Sequence, residues 1–182
     1  MTDKITVLYV KHTQNVLAAV IRVANPEEEI TAQALAGPGL LVRGFAGVGP
    51  FEVPPEELGV LTVDLEDTLT LLKPRAFQVK ADPTDPKKMS LIPITTAGLP
   101  QVNGIDLPAI QVTVKFNGQA PSNFPVWVLI DGGSLTAPRP KQGKILANQN
   151  NALIEIENLA DGEYSILALA PGSPPFSDKT TL

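Results

Sequence analysis

The chain carries one histidine, His12, and no cysteine. Those two counts bound the chemistry it can do. Without thiols there is no disulfide, zinc–thiolate site, iron–sulfur cluster or cysteine nucleophile. With a single imidazole, a Ser-His-Asp triad rests on His12 or on nothing, and a two-histidine metal site is excluded. His12 lies in "KHTQ", a polar break between two apolar runs, and no Gly-x-Ser-x-Gly elbow occurs. It reads as a turn residue. Carboxylates gather at Glu27 to Glu29, Glu56/Glu57, Asp64/Glu66/Asp67 and Asp82/Asp85. In "DLED", strand alternation would set Asp64 and Glu66 on one side, the beginning of a hard-cation site or a hydrolytic carboxylate pair. Calcium, however, takes about six to eight oxygens from several loops, and no EF-hand pattern is present. "DGGS", Asp131 to Ser134, lacks the Lys-Ser/Thr and the helix start of a phosphate loop, so a strand-end turn accounts for it. Trp127 stands mid-strand among valines, where a core or interface role fits better than an exposed platform for a sugar ring. No catalytic residue, cofactor or metal ion is expected.

The elements that would position such residues are short strands. The chain has 182 residues, with 14 glycines and 18 prolines spread along it. That spacing leaves room for strands and little for long helices. "KITVLYV" and "QNVLAAVIRVA" read as the first two strands. Residues 26–36 give a divided signal. Asn25, Pro26 and three glutamates favour a helix start, with Gly37-Pro38 as its stop. A loop followed by a strand fits the same residues. "GLLVRGF", "GPFEV", "GVLTVDL", "TLTLL" and "RAFQVK" follow as short runs divided by Gly and Pro, the spacing of a sandwich or barrel. "ADPTDPKK" reads as a linker, since neither proline can donate to a ladder. Beyond it, Ile110, Val112, Val114 and Phe116 alternate with polar residues, and "PVWVLIDGG", "GKILA", "ALIEIEN" and "EYSILALA" complete the strand series.

The expected class is all-β, with an immunoglobulin-like or transthyretin-like sandwich in the C-terminal half. The N-terminal half is expected to be short-stranded and β-rich, with at most one short helix. The expected division is a β-rich module over 1–80, a Pro-rich linker and irregular segment over 81–104, a sandwich over 105–171 and a mobile tail over 172–182.

Some strands are apolar on both faces. In "PVWVLI" Val126, Val128 and Ile130 share one side, while Trp127 and Leu129 share the other. In "EYSILALA" Leu167 and Leu169 oppose Tyr164 and Ile166. A sheet with one face in water would be polar at every second position. These strands therefore need cover on both sides, from the N-terminal half of the chain or from other subunits. Low charge density and the loose tail tilt the expectation toward subunits, with Trp127, Leu129, Leu167 and Leu169 as the interface.

The net charge is −5, and Lys and Arg are scattered singly. Nucleic acid is not expected as a partner, because a phosphate backbone needs a concentrated basic face. No apolar run approaches membrane-helix length, and the N-terminus lacks the features of a signal peptide. The expected location is the cytoplasm, or a particle assembled there.

From Val112 onward, "VTVKFNGQAPSNFPVWVLIDGG" and "NALIEIENLADGEYSILALAPG" resemble transthyretin-like or carboxypeptidase-regulatory-like β-sandwich repeats. The residues that carry the likeness are Val112, Val114, Gly118, Pro125, Val126, Val128, Leu159, Gly162, Tyr164, Ala170, Pro171 and Gly172. The segment from Ser134 to Asn151 departs from that pattern except at "GKILA". The resemblance implies a sandwich used as a spacer, stalk or docking module. Asp161, Gly162 and Tyr164 would then form a corner of the fold. A tight hairpin and a crossing between sheets, with the Tyr164 hydroxyl bonded back to the backbone, both fit them. The N-terminal segments "LYVKHTQNVLAAVIRVANPEEEITAQALAGPGLLVRGF" and "FEVPPEELGVLTVDL" look like accessory proteins of phage-tail-like particles such as contractile injection systems. The expected function is non-enzymatic, through contacts with protein subunits of an assembly. The alternative is a module that binds carbohydrate or another surface polymer.

Overall fold

The computed structural model describes residues 4–22, 30–44, 48–64, 69–85, 88–95, 99–108 and 110–182. Among them the chain is mostly antiparallel β-structure, with two short α-helices where the sequence predicts at most one. In chain order the elements are β1 (Lys4–Val10), β2 (Val16–Arg22), α1 (Ala32–Ala36), β3 (Leu40–Arg43), β4 (Pro50–Val53), β5 (Leu58–Asp64), α2 (Leu69–Leu72), β6 (Phe77–Ala81), β7 (Met89–Pro93), β8 (Val102–Asp106), β9 (Gln111–Phe116), β10 (Phe124–Gly132), β11 (Arg139–Ile145), β12 (Asn151–Glu155), β13 (Glu163–Leu169) and β14 (Phe176–Thr181).

The last seven strands form two facing sheets, ordered β12-β9-β8 and β11-β10-β13-β14. The inner faces meet in a core of Val112, Val114, Val126, Val128, Ile130, Ile154, Tyr164 and Ile166. This is the three-plus-four layout of an immunoglobulin-like sandwich, with β13 entering from a corner. β11 begins well before "GKILA". Its polar side chains and Pro140 suit an edge strand, which masks the alternation that marks a half-buried one.

The N-terminal half builds a sheet ordered β2-β1-β5 and two hairpins, β3-β4 and β6-β7. Ile5, Val7 and Tyr9 of β1 pack with Val16, Phe77 and Val79. Val10 lies in a different cluster, on the way to the C-terminal half. Both faces of β1 are therefore used, which explains its near-continuous apolar run.

Three expectations need correction. "ADPTDPKK" is no linker: β6 and β7 pair across it, with Phe77 opposite Pro93 and Ala81 opposite Met89. Pro83 falls in the hairpin loop, where no ladder donor is needed, and Pro86 lies outside the described residues. Asp82 Oδ1 accepts from Thr84 N at 2.8 Å and Thr84 Oγ1 at 2.6 Å, and those bonds hold its carboxyl below the ordinary aspartate range. The segment over 172–182 is no loose tail: β14 pairs along β13, and Leu182 N donates to Gly162 O at 3.0 Å. "TLTLL" gives α2 instead of a strand, because so short a run cannot tell a period of two from one of 3.6. For residues 26–36, the described part is α1. Its cap is Thr31, whose Oγ1 accepts from Ala34 N at 3.2 Å, and Gly37 closes it at φ 63°. A start at Asn25-Pro26 lies outside the described residues.

Candidate functional site at the junction of the two halves

The outer face of the β10-β13 pair is covered by this chain itself. Trp127, Leu129, Leu167 and Leu169 are all 0% exposed. They pack with Val10, Leu17, Val42, Phe51, Val53 and Leu58 of the N-terminal half. The expectation that other subunits cover these four residues is thereby overturned. Hydrophobic burial of this extent joins the halves into one body.

Polar ties ring this apolar contact. Trp127 Nε1 donates to Glu57 Oε2 at 2.8 Å. The β1–β2 turn inserts toward the sandwich: Asn15 Nδ2 donates to Ser173 O at 3.0 Å, and His12 Nε2 lies 3.3 Å from Gly143 O. Ser173 Oγ accepts from Val102 N at 3.1 Å, and Gln78 Oε1 accepts from Gly172 N at 2.9 Å. The "APGS" stretch after β13 is thus a docking point for the β1–β2 turn and β6. His12 is therefore more than a surface turn residue. Nothing in its local sequence marks this, because Gly143 is 131 residues away.

Thr13 Oγ1 and Asn15 Oδ1 are buried here without a hydrogen-bond partner among the described residues. A buried hydroxyl without a partner loses its hydration for no return. Thr13→Val, close to isosteric, is expected to leave stability unchanged or raise it by up to about 1 kcal/mol, read from urea denaturation.

A cavity of about 510 Å³ opens beside His12, lined also by Asn123, Phe124, Pro125, Gln142, Gly143 and Lys144. These residues bring an imidazole, an ammonium group and two amides together, with no carboxylate to orient the imidazole. The walls that face the cavity are mostly apolar, and the set does not assemble a nucleophile and base. Trp127 offers no platform for a sugar, since its ring is 0% exposed. The exposed Trp127 that carbohydrate binding called for is overturned. Of "DLED", only Asp64 is described; it lies exposed at the end of β5, opposite Lys4. Among the described residues no three His, Asp or Glu side chains converge as a metal site requires.

The corner residues come together as a unit. β12 pairs with β9 and β13 with β10, so the chain crosses between sheets at Asp161-Gly162. Tyr164 is 0% exposed, and its hydroxyl donates to Ala160 O at 2.7 Å. Its ring lies against Gly133, so "DGG" and "DGEY" pack on one another. Tyr164→Phe removes one hydrogen bond from a filled site and is expected to cost about 1 kcal/mol, measured by thermal or urea unfolding.

Among the described residues no helix is long and apolar enough to cross a membrane. No protein-family model matches the chain, and no curated protein matches it at significant similarity.

Proposed function

We propose that this chain is a non-enzymatic structural protein that works through contacts with other protein subunits in a larger assembly. The observation that carries this reading is the placement of apolar side chains on ordered outer surface. Leu41 of β3, Leu72 of α2, Ile110 beside β9 and Leu153 of β12 are 59–76% exposed. Leu153 sits at the middle of the edge strand β12, opposite Thr113, and Ile110 lies just past the end of that pairing, where Ile156 N donates to Ile110 O at 3.0 Å. Apolar groups fixed on a rigid sheet suit a partner surface. The groups capable of chemistry are meanwhile engaged in internal ties: Trp127 with Glu57, Tyr164 with Ala160, and His12 with Gly143.

The likeness of the N-terminal segments to accessory proteins of phage-tail-like particles supplies the context we propose, a particle assembled in the cytoplasm. The likeness of the C-terminal half to transthyretin-like repeats agrees with a docking or spacer role. Light scattering over a range of concentrations tests the reading, together with recovery of bound subunits from the source cells. Oligomers or a stable complex are expected. A monomer at every concentration that recovers no partner overturns it.

A further inference from the structure

We infer that the cavity beside His12 is a binding site for a small aromatic carboxylate, with the ring seated on its apolar wall and the anion on Lys144. The cavity exists because the cover over the β10-β11 surface stops short. Pro125 and Trp127 of β10 stand opposite Lys144 and Gln142 of β11, and directly opposed residues share a face. On that face the N-terminal half covers Trp127 completely. One pair further along the face the cover ends at His12, whose Nε2 lies 3.3 Å from Gly143 O. Pro125 and Lys144 are left lining the opening. Its volume of about 510 Å³ falls within the range of about 300–1,000 Å³ for small-molecule sites, and a joint between two folded halves is a usual place for one.

The wall suits a planar ring. Phe124 is half-buried, and its own ring is held edge-on to Phe116 at 5.7 Å. Pro125 has no side-chain rotamer freedom to lose on contact. Gly143 brings no side chain: a Cβ there would meet Ile154 Cγ1 at 2.6 Å, toward the sandwich core, so β11 presents backbone alone on the cavity side. A ring laid on groups already fixed in place costs little ordering entropy. The polar groups then select the sign of the charge. Lys144 is exposed and, among the described residues, makes no ion pair. Glu157, the acid that meets β11, is taken by Arg139 at 3.0 Å and by Lys141 at 3.9 Å. Asn123 Oδ1 accepts from Ala147 N at 2.8 Å, which leaves the Nδ2 of that amide as a donor. No carboxylate lines the cavity. An anion therefore finds an ammonium group and an amide donor there, whereas a cation finds no partner.

The site is independent of the assembly reading, because Leu41, Leu72, Ile110 and Leu153 do not line it. Calorimetric titration with 2-naphthoate, the neutral 2-naphthylmethanol and the cationic 2-naphthylmethylamine tests it. Naphthoate is expected to bind at least about fivefold tighter than the alcohol, and the amine to bind most weakly. Lys144→Met keeps a chain of similar length at an exposed position, so thermal unfolding is expected to stay unchanged while the margin of naphthoate over the alcohol disappears. Lys80→Met, on β6 and also exposed, removes the same charge away from the cavity and is expected to leave that margin intact. Three results overturn the site: equal affinity for all the ligands, an equal loss of the margin in both variants, or no binding of naphthoate at about 1 mM. The assembly reading stands or falls separately, on light scattering of the unliganded wild-type chain.

Discussion

Trp127→Ala is expected to destabilise the protein by about 3–5 kcal/mol, the range for removing a fully buried aromatic side chain. The ring is 0% exposed and lies between β10 and the N-terminal strands, in the cluster with Phe51, Leu58 and Leu167. Two losses combine. The cavity left by an indole cannot collapse easily, because both walls are sheets with fixed registers. Glu57 Oε2 also loses the donor that meets it at 2.8 Å. Against a typical total of about 5–15 kcal/mol, this is a large share of the stability. Circular dichroism during urea denaturation is the suitable probe, since the variant has no other tryptophan. Glu57→Gln keeps an oxygen acceptor for the indole and is expected to cost well under half as much. Glu57→Ala leaves the indole N–H unpaired and is expected to cost about 1–3 kcal/mol. A loss below about 1 kcal/mol for Trp127→Ala would mean that the halves do not share a packed layer.

The same residue shows where the sequence stops speaking. That Trp127 and Leu129 need cover is legible from alternation, because a strand apolar at successive positions has no wet face. What covers them is not legible, because Val42, Phe51 and Val53 lie about 74 to 85 positions upstream of Trp127 in short runs with nothing to mark their target. The corner is readable for the opposite reason. Tyr164 and Ala160 are four residues apart, so the chemistry and the spacing both fall inside one short stretch. β14 escapes a reading from sequence because "FSDKTTL" is polar. An edge strand with one buried neighbour carries little hydrophobic signal, and its partner β13 supplies the apolar side. The junction ties of His12, Asn15 and Gln78 escape for a third reason. Their partners are backbone groups of Gly143, Ser173 and Gly172, and a backbone acceptor or donor leaves no trace in residue identity.

Gly133→Ala is the second change with a large expected effect, about 2–5 kcal/mol. Gly133 has φ +57°, and a side chain in that left-handed region costs about 1–2 kcal/mol for a residue other than glycine. A Cβ at this position would also overlap the Tyr164 ring, which is held from the far side by the bond to Ala160. Overpacking a filled site adds about 1–3 kcal/mol. The neighbourhood has little freedom to yield. Gly133 N donates to Glu163 O at 2.7 Å, and Gly162 comes within reach of Gly133 Cα, so the β10–β11 turn and the sheet-crossing corner are locked together. Gly49→Ala is the control: nothing lies within 4 Å of its would-be Cβ, and a change within about 0.5 kcal/mol is expected. The steric share can be separated from the backbone share by a double-mutant cycle with Tyr164→Ala. If the ring is the obstacle, Gly133→Ala costs at least about 1 kcal/mol less once the ring is gone, leaving the left-handed backbone cost. Strict additivity of the two changes would place the whole cost in the backbone, and the corner would then depend on Gly133 for its conformation alone.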